Sequence, residues 1–165
     1  MSINITQLTF IEYKTKRFYI GQSPTDENIR IFVKSLVANN IKHVVRLCKP
    51  MYDHTIIENE NIYFYDLEMP DGLVPDKNII NQWNKINENV LDGEGILVHC
   101  VAGLGRAPLM VAISLINELM EPFEVIDLIR KKRPGSINSK QLEFLINYKP
   151  AKKSNGFFKK FFCRA

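Results

Sequence analysis

Apolar and polar positions change period several times along the chain, and each change marks a predicted element. Two short β-rich runs, LTFIEY (8–13) and RFYI (17–20), are separated by Lys14 to Lys16 and predict a hairpin. From Thr25 the period becomes helical, with Thr25 as N-cap and Ile29, Phe32, Val33, Leu36 and Val37 on one face, until Asn39 and Asn40 end it. A strand HVVRLC (43–48), a polar stretch from Asp53 to Asn61 with room for one short helix, and a strand IYFYDL (62–67) come next. After the loop EMPDGLVPD (68–76), Ile79, Trp83, Ile86 and Val90 recur at helical spacing, with Asp76 as the N-cap. Asp92-Gly93 stops that helix before the strand GILVH (95–99), which is apolar on both faces as a central parallel strand is. Helices are then predicted over Pro108 to Met120, Pro122 to Arg133 and Ser139 to Tyr148, and Pro150 closes the run. Strands alternating with helices predict an α/β fold, a mostly parallel central sheet flanked by helices. The expected organisation is one domain over residues 1–150 and a tail over 151–165.

Composition fits that picture. Hydrophobic residues make up 45% and charged residues 24%, as in an ordinary soluble protein, and no apolar run is long enough to span a bilayer. The N-terminal MSINITQLTF has neither the basic leader nor the small-residue cleavage site of a secretory signal, so a cytoplasmic, reducing location is expected. The net charge of +4 is unevenly spread: Lys149, Lys152, Lys153, Lys159, Lys160 and Arg164 supply six positive charges with no acid beside them, leaving +4 − 6 = −2 for residues 1 to 148. An acidic body lacks the cationic groove that an RNA 5′-triphosphatase needs, so no nucleic-acid partner is expected. Cys48, Cys100 and Cys163 are far apart and form no Cys-x-x-Cys pair, so neither a zinc site nor a disulfide framework is indicated, and no metal or cofactor is expected.

Chemistry concentrates in V-H-C-V-A-G-L-G-R-A-P, Val98 to Pro108, which leaves the predicted central strand and enters a predicted helix. Ligands of open α/β sheets bind at that carboxyl edge. Five residues separate Cys100 from Arg106, and Gly103 and Gly105 let the backbone of Val101, Ala102, Gly103, Leu104 and Gly105 curl until successive N–H groups meet at one point. Such a nest at a helix N-terminus holds an oxyanion, and the same field favours a thiolate at Cys100. A thiolate beneath a bound phosphate is a nucleophile. Arg106 would return to the same point and grip two phosphate oxygens with its planar fork, which a lysine could not match. A nucleotide-binding loop is a poorer reading, since G-L-G-R lacks the following Gly and Lys-Ser/Thr.

Expulsion of an alkoxide or phenoxide also needs a proton donor. Asp71, between Pro70 and Gly72 just after a strand end, is the best candidate; Asp66 and Glu68 fall on the strand or its end, and Asp76 is taken as a cap. His99 faces opposite to Cys100 on the strand, and its expected role is to orient the loop by hydrogen bonds.

On V-H-C-V-A-G-L-G-R-A-P, on T-K-R-F-Y-I near the start, on V-V-R-L-C-K-P-M-Y-D at Val44 to Asp53 and on I-R-K-K-R-P-G-S-I-N-S-K-Q-L at Ile129 to Leu142, the sequence resembles the phosphatases of regenerating liver, a branch of the dual-specificity protein tyrosine phosphatases. The resemblance covers nearly the whole chain. It implies a dual-specificity-type fold, Cys100 as nucleophile, Arg106 as phosphate clamp, Asp71 as general acid and backbone donors from residues 101 to 105. The implied substrates are phosphoproteins or phosphoinositides. It also implies a reversible disulfide between Cys48 and Cys100, and a grip on the CBS-pair domain of CNNM-type magnesium transporters as an alternative function.

One feature that goes with the resemblance is Ala107, which stands where most cysteine phosphatases carry a Ser or Thr that helps the thiolate leave, and it predicts a slow second step. The sequence departs from the family in two places. Pro70 replaces the first of two aspartates. The family ends in a prenylated C-a-a-X box, whereas Cys163 is third from the end, followed by Arg164 and Ala165; Cys163 is the lipidation candidate. The tail interleaves Phe157, Phe158, Phe161 and Phe162 with bases. That composition suits an anionic membrane surface, so a peripheral place at the inner face of membranes is expected. It equally suits an unstructured basic tail whose aromatics pack back on the domain.

Overall fold

The computed structural model describes residues 7–150, so the tail, including Cys163, and the first six residues lie outside the described part. Five strands form one sheet: β1 (Thr9–Tyr13), β2 (Lys16–Gln22), β3 (Ile41–Arg46), β4 (Tyr63–Asp66) and β5 (Gly95–Cys100). Their order is β1-β2-β5-β3-β4, with β1 and β2 antiparallel and every other pairing parallel. The last strand in the chain is therefore the middle one in space. All six of its residues are buried, as an apolar run between two parallel neighbours must be.

The helices are α1 (Ile29–Ala38), α2 (Thr55–Glu58), α3 (Lys77–Asn89), α4 (Arg106–Asn117), α5 (Pro122–Lys132) and α6 (Ser139–Asn147). They divide the core into two layers. On one face Phe32, Val33 and Leu36 of α1 pack with Val44, Tyr52, Ile57 and Leu97; on the other, Trp83 of α3, the length of α4, and Val125, Ile129 and Leu145 pack with Ile96, Val98 and Cys100. The two-residue period of β5 thus sends Leu97 to one layer and Cys100 to the other. Helix α4 is buried from Arg106 to Ile116, and its Ser114 hydroxyl accepts the Trp83 indole N–H at 2.8 Å. Truncating so buried an aromatic as Trp83 to alanine costs about 3–5 kcal/mol.

Several boundaries differ from expectation for local physical reasons. Thr25 does not cap α1: Thr25 and Asn28 exchange two side-chain hydrogen bonds of 2.9 Å that build a turn first, and the helix starts after Asn28. Val37 is 54% exposed, because contact with the sheet ends at Leu36. Helix α4 begins two residues before Pro108, since a proline in the first turn removes only an N–H that has no helical partner. It ends at Asn117, and Leu119 adopts a left-handed conformation with φ +70°, which stops the helix short of Met120.

Candidate active site

At the carboxyl end of β5 the chain turns out of the sheet at Cys100 and enters α4 at Arg106, so both side chains lie at the edge where open α/β sheets hold ligands. The conformation of the loop between them follows from its outward hydrogen bonds. The Val101 carbonyl accepts from the Ser23 amide at 3.0 Å, and the Leu104 carbonyl from the Ile137 amide at 2.9 Å. Arg133 donates to the Ala102 carbonyl at 3.2 Å and to the Gly103 carbonyl at 2.6 Å. In a trans peptide the C=O and the next N–H point opposite ways, so four carbonyls held outward turn the amides of Ala102, Gly103, Leu104 and Gly105 inward. Among the described residues those four amides donate no backbone hydrogen bond. Inward-turned, unspent amides at the start of a buried helix make an anion cradle.

Gly103 is indispensable to this arrangement. Its φ is +71°, and a Cβ there would lie 2.4 Å from the Gly21 carbonyl oxygen and 2.6 Å from Arg133.

Arg106 is buried and fixed by its surroundings. Its Nη1 donates to the carbonyls of Leu47, at 3.2 Å, and Met69, at 3.0 Å, while Nε lies 3.1 Å from Asp71 Oδ1 without hydrogen-bond alignment. Asp71 itself is 81% exposed and accepts from the Gly72 amide at 3.1 Å. The three acids set aside as donors are otherwise placed or engaged. Asp66 forms a bidentate pair with buried Arg46, both bonds 2.6 Å, and Asp76 caps α3 by accepting from the Ile79 amide at 2.8 Å. Glu68 is exposed just beyond the end of β4.

His99 faces the α1 layer, away from the Cys100 side chain. Its Nε2 lies 2.6 Å from the Tyr52 hydroxyl and its Nδ1 3.4 Å from the Cys100 carbonyl, and burial pushes its pKa down to about 4. Tyr52 in turn lies under Arg46, whose guanidinium is 5.1 Å from the ring centre. Cys48 lies just past the end of β3, the neighbour of β5, and both it and Cys100 are buried free thiols. Burial pushes the Cys48 thiol up, the Arg106 guanidinium pulls it down, and Cys100 pushes it up again, so all three groups share one electrostatic neighbourhood.

The structure thus brings Cys100, residues 101 to 105, Arg106, Asp71 and Cys48 to one sheet edge. Sequence reasoning missed the outer supports Ser23 and Arg133, and the partner of His99, Tyr52. Arg133 was visible only as the last residue of the helix predicted over Pro122 to Arg133, and it is the residue that caps α5.

This is the architecture of a cysteine-based phosphatase of the dual-specificity type, and comparison with known proteins gives the same class. The family model described as "Tc-R-P: Polymorphic toxin system, DSP-PTPase phosphatase" matches residues 20–119, a span that contains the whole cradle. The "Probable protein tyrosine phosphatase type IVA A" of Dictyostelium discoideum is 40% identical over 150 residues, 89% of this chain and 90% of that protein. The "PRL-1 phosphatase" of Drosophila melanogaster is 39% identical over 143 residues, 85% of this chain and 81% of its own. The solved structure of a putative protein tyrosine phosphatase from Leishmania major superposes with a TM-score of 0.78 at 31% identity, covering 87% of this chain and 99% of that one. The chain belongs to the protein tyrosine phosphatase type IVA family, the phosphatases of regenerating liver.

Proposed function

We propose that the chain hydrolyses phosphate monoesters of proteins or phosphoinositides in two steps, through a phosphocysteine at Cys100 that breaks down slowly. The reading is carried by the four outward-held carbonyls, which leave inward amides around the strand end where Cys100 sits. In the first step the Cys100 thiolate attacks phosphorus, the P–O ester bond breaks, and Asp71 gives its proton to the departing oxygen. Loop amides and Arg106 receive the charge that develops on the phosphoryl oxygens. An arriving phosphate competes with Asp71 for the Arg106 guanidinium, which frees the carboxyl group for the leaving oxygen. In the second step Asp71 takes a proton from water as the water oxygen attacks phosphorus and the P–S bond breaks.

Ala107 is fully buried in the first turn of α4 and offers the departing thiolate no hydroxyl, which is why the second step is the slow one. Stopped-flow release of a chromogenic phenol from an aryl phosphate tests this: a burst near one equivalent is expected, and linear release from the first turnover would overturn it.

Slow turnover also favours a second reading, in which the occupied or empty cradle grips a partner, the CBS-pair domain of a CNNM-type magnesium transporter. Retained binding by a Cys100→Asp protein is the expected result, and no binding by either form removes this reading. The shared neighbourhood of Cys48 and Cys100 supports a reversible protective disulfide. Cys48→Ser should then recover less activity from peroxide under dithiothreitol than the native protein, and equal recovery would refute the disulfide. The basic, Phe-rich tail supports cytoplasmic residence at membrane surfaces, with Cys163 as the lipid acceptor. Sedimentation with anionic vesicles, with and without residues 151–165, checks it; equal sedimentation would remove the tail from membrane attachment.

A further inference from the structure

The segment that joins α5 to α6 touches both halves of the site. Arg130 holds its carbonyls, donating to Ser136 at 3.1 Å and to Ile137 at 2.8 Å. From this fixed segment the Ile137 amide holds the cradle at Leu104, while two side chains, one at the end of the segment and one in the first turn of α6, reach the loop that carries Asp71. Asn138 Nδ2 donates to the Gly72 carbonyl at 3.1 Å, and Gln141 Nε2 to the Leu73 carbonyl at 3.3 Å. Gln141 is fully buried and wedged beside Gly105, where an added Cβ would stand 3.3 Å from its Nε2. The Asp71 loop has few other ties. Met69 is bonded at the near end and Asp76 at the far end; between them Gly72 (φ +70°) turns the chain, and Leu73 and Val74 are exposed.

We propose that Asn138 and Gln141 are positioning residues for Asp71, their amide donors clamping the two carbonyls that follow it so that its carboxyl group stays over the cradle. This rests on the reading of Asp71 as the general acid. The same two side chains also form the capping box of α6, but with their other atoms. Asn138 Oδ1 accepts the Gln141 amide at 2.9 Å, and Gln141 Oε1 accepts the Asn138 amide at 3.1 Å. Carboxylate replacements therefore separate the two roles: Asn138→Asp and Gln141→Glu keep the acceptor that caps the helix and lose the donor that clamps the loop. Asn138→Ser keeps a cap without adding charge.

The test is a mutant cycle read as kcat/KM for a series of aryl phosphates, with each replacement made in the native and in the Asp71→Asn background, and with thermal midpoints recorded. In the native background Asn138→Asp, Gln141→Glu and Asn138→Ser should each lower kcat/KM for high-pKa phenols by about tenfold, within the roughly hundredfold that an ångström of misplacement costs. They should barely affect the best leaving groups, which need no proton, and should add nothing once Asp71→Asn has removed the acid. An equal loss in the Asp71→Asn background, a loss independent of the leaving group, or a loss with Asn138→Asp that Asn138→Ser does not share would each overturn the clamp. If Asp71→Asn alone leaves kcat/KM unchanged, the acid assignment has failed, and the clamp falls with it by a distinguishable route.

Discussion

The cradle loop and the acid loop face each other across one site, yet they are held in different ways. Every carbonyl from Val101 to Leu104 is bonded outward, Gly103 is buried, and the loop ends run directly into the central strand and the most buried helix. The acid loop, by contrast, exposes Asp71, Leu73 and Val74, and between Met69 and Asp76 it is tied mainly by two amide side chains from α6. The difference suits the proposed chemistry. Donors that meet developing charge are effective only when fixed before the reaction, whereas a proton donor must admit a bulky leaving group and let it go.

Replacements ranked by expected effect probe that division. Cys100→Ser should eliminate both burst and turnover, a loss of more than about 10⁴-fold in line with other nucleophile deletions; residual activity near the native level would place the nucleophile elsewhere. Gly103→Ala should act first on the cradle, because a methyl group there meets the Gly21 backbone and Arg133. A fall of about 10²–10³-fold in kcat/KM is expected, comparable with losing an oxyanion donor, and a near-native value would mean that the loop is more pliable than its bonds imply. Asp71→Asn should cost about 10²-fold with poor leaving groups while phosphate or vanadate still binds, which sharpens the contrast between the two loops.

A fourth prediction concerns the support behind the cradle. The pKa of buried His99 is lowered to about 4 from an ordinary 6.5, so the unfolded chain binds a proton that the folded one refuses. Its contribution is fully present above pH 6.5 and is lost as pH falls towards 4, about 3 kcal/mol in all. Urea titrations at pH 7 and pH 4.5 should show that slope in the native protein and a shallower one in His99→Gln; equal slopes would break the assignment. Ala107→Ser should have the smallest effect, a modest rise in kcat with a reduced burst, and an unchanged kcat would mean that the hydroxyl is not what the second step lacks.

The cradle was legible in the sequence because its parts are contiguous: strand, cysteine, glycines, arginine and helix follow one another in eleven residues, and the strand's apolar run on both faces already marked it as central. Asp71 was expected to be the acid because its rivals read as having other roles, and Asp66 and Asp76 are engaged in bonds of their own. The helix caps were less legible: Thr25 has the right chemistry for a cap, but its neighbour Asn28 has it too, and only their mutual bonds decide which one starts α1. The supports were invisible for a different reason. Arg133, Asn138 and Gln141 act on residues about thirty or more positions away, and their local roles, closing one helix and capping the next, explain them fully until the fold brings the distant carbonyls beside them. Tyr52 likewise has no local signal, because its partner His99 lies 47 residues further on.

Because the outward bonds of the cradle come from the residue after β2, the residue after α5 and the link between α5 and α6, no single segment can detach without disturbing it. Phosphate affinity is therefore a measure of the intact molecule. On heating the reduced protein, loss of vanadate binding should coincide with calorimetric melting in one cooperative transition.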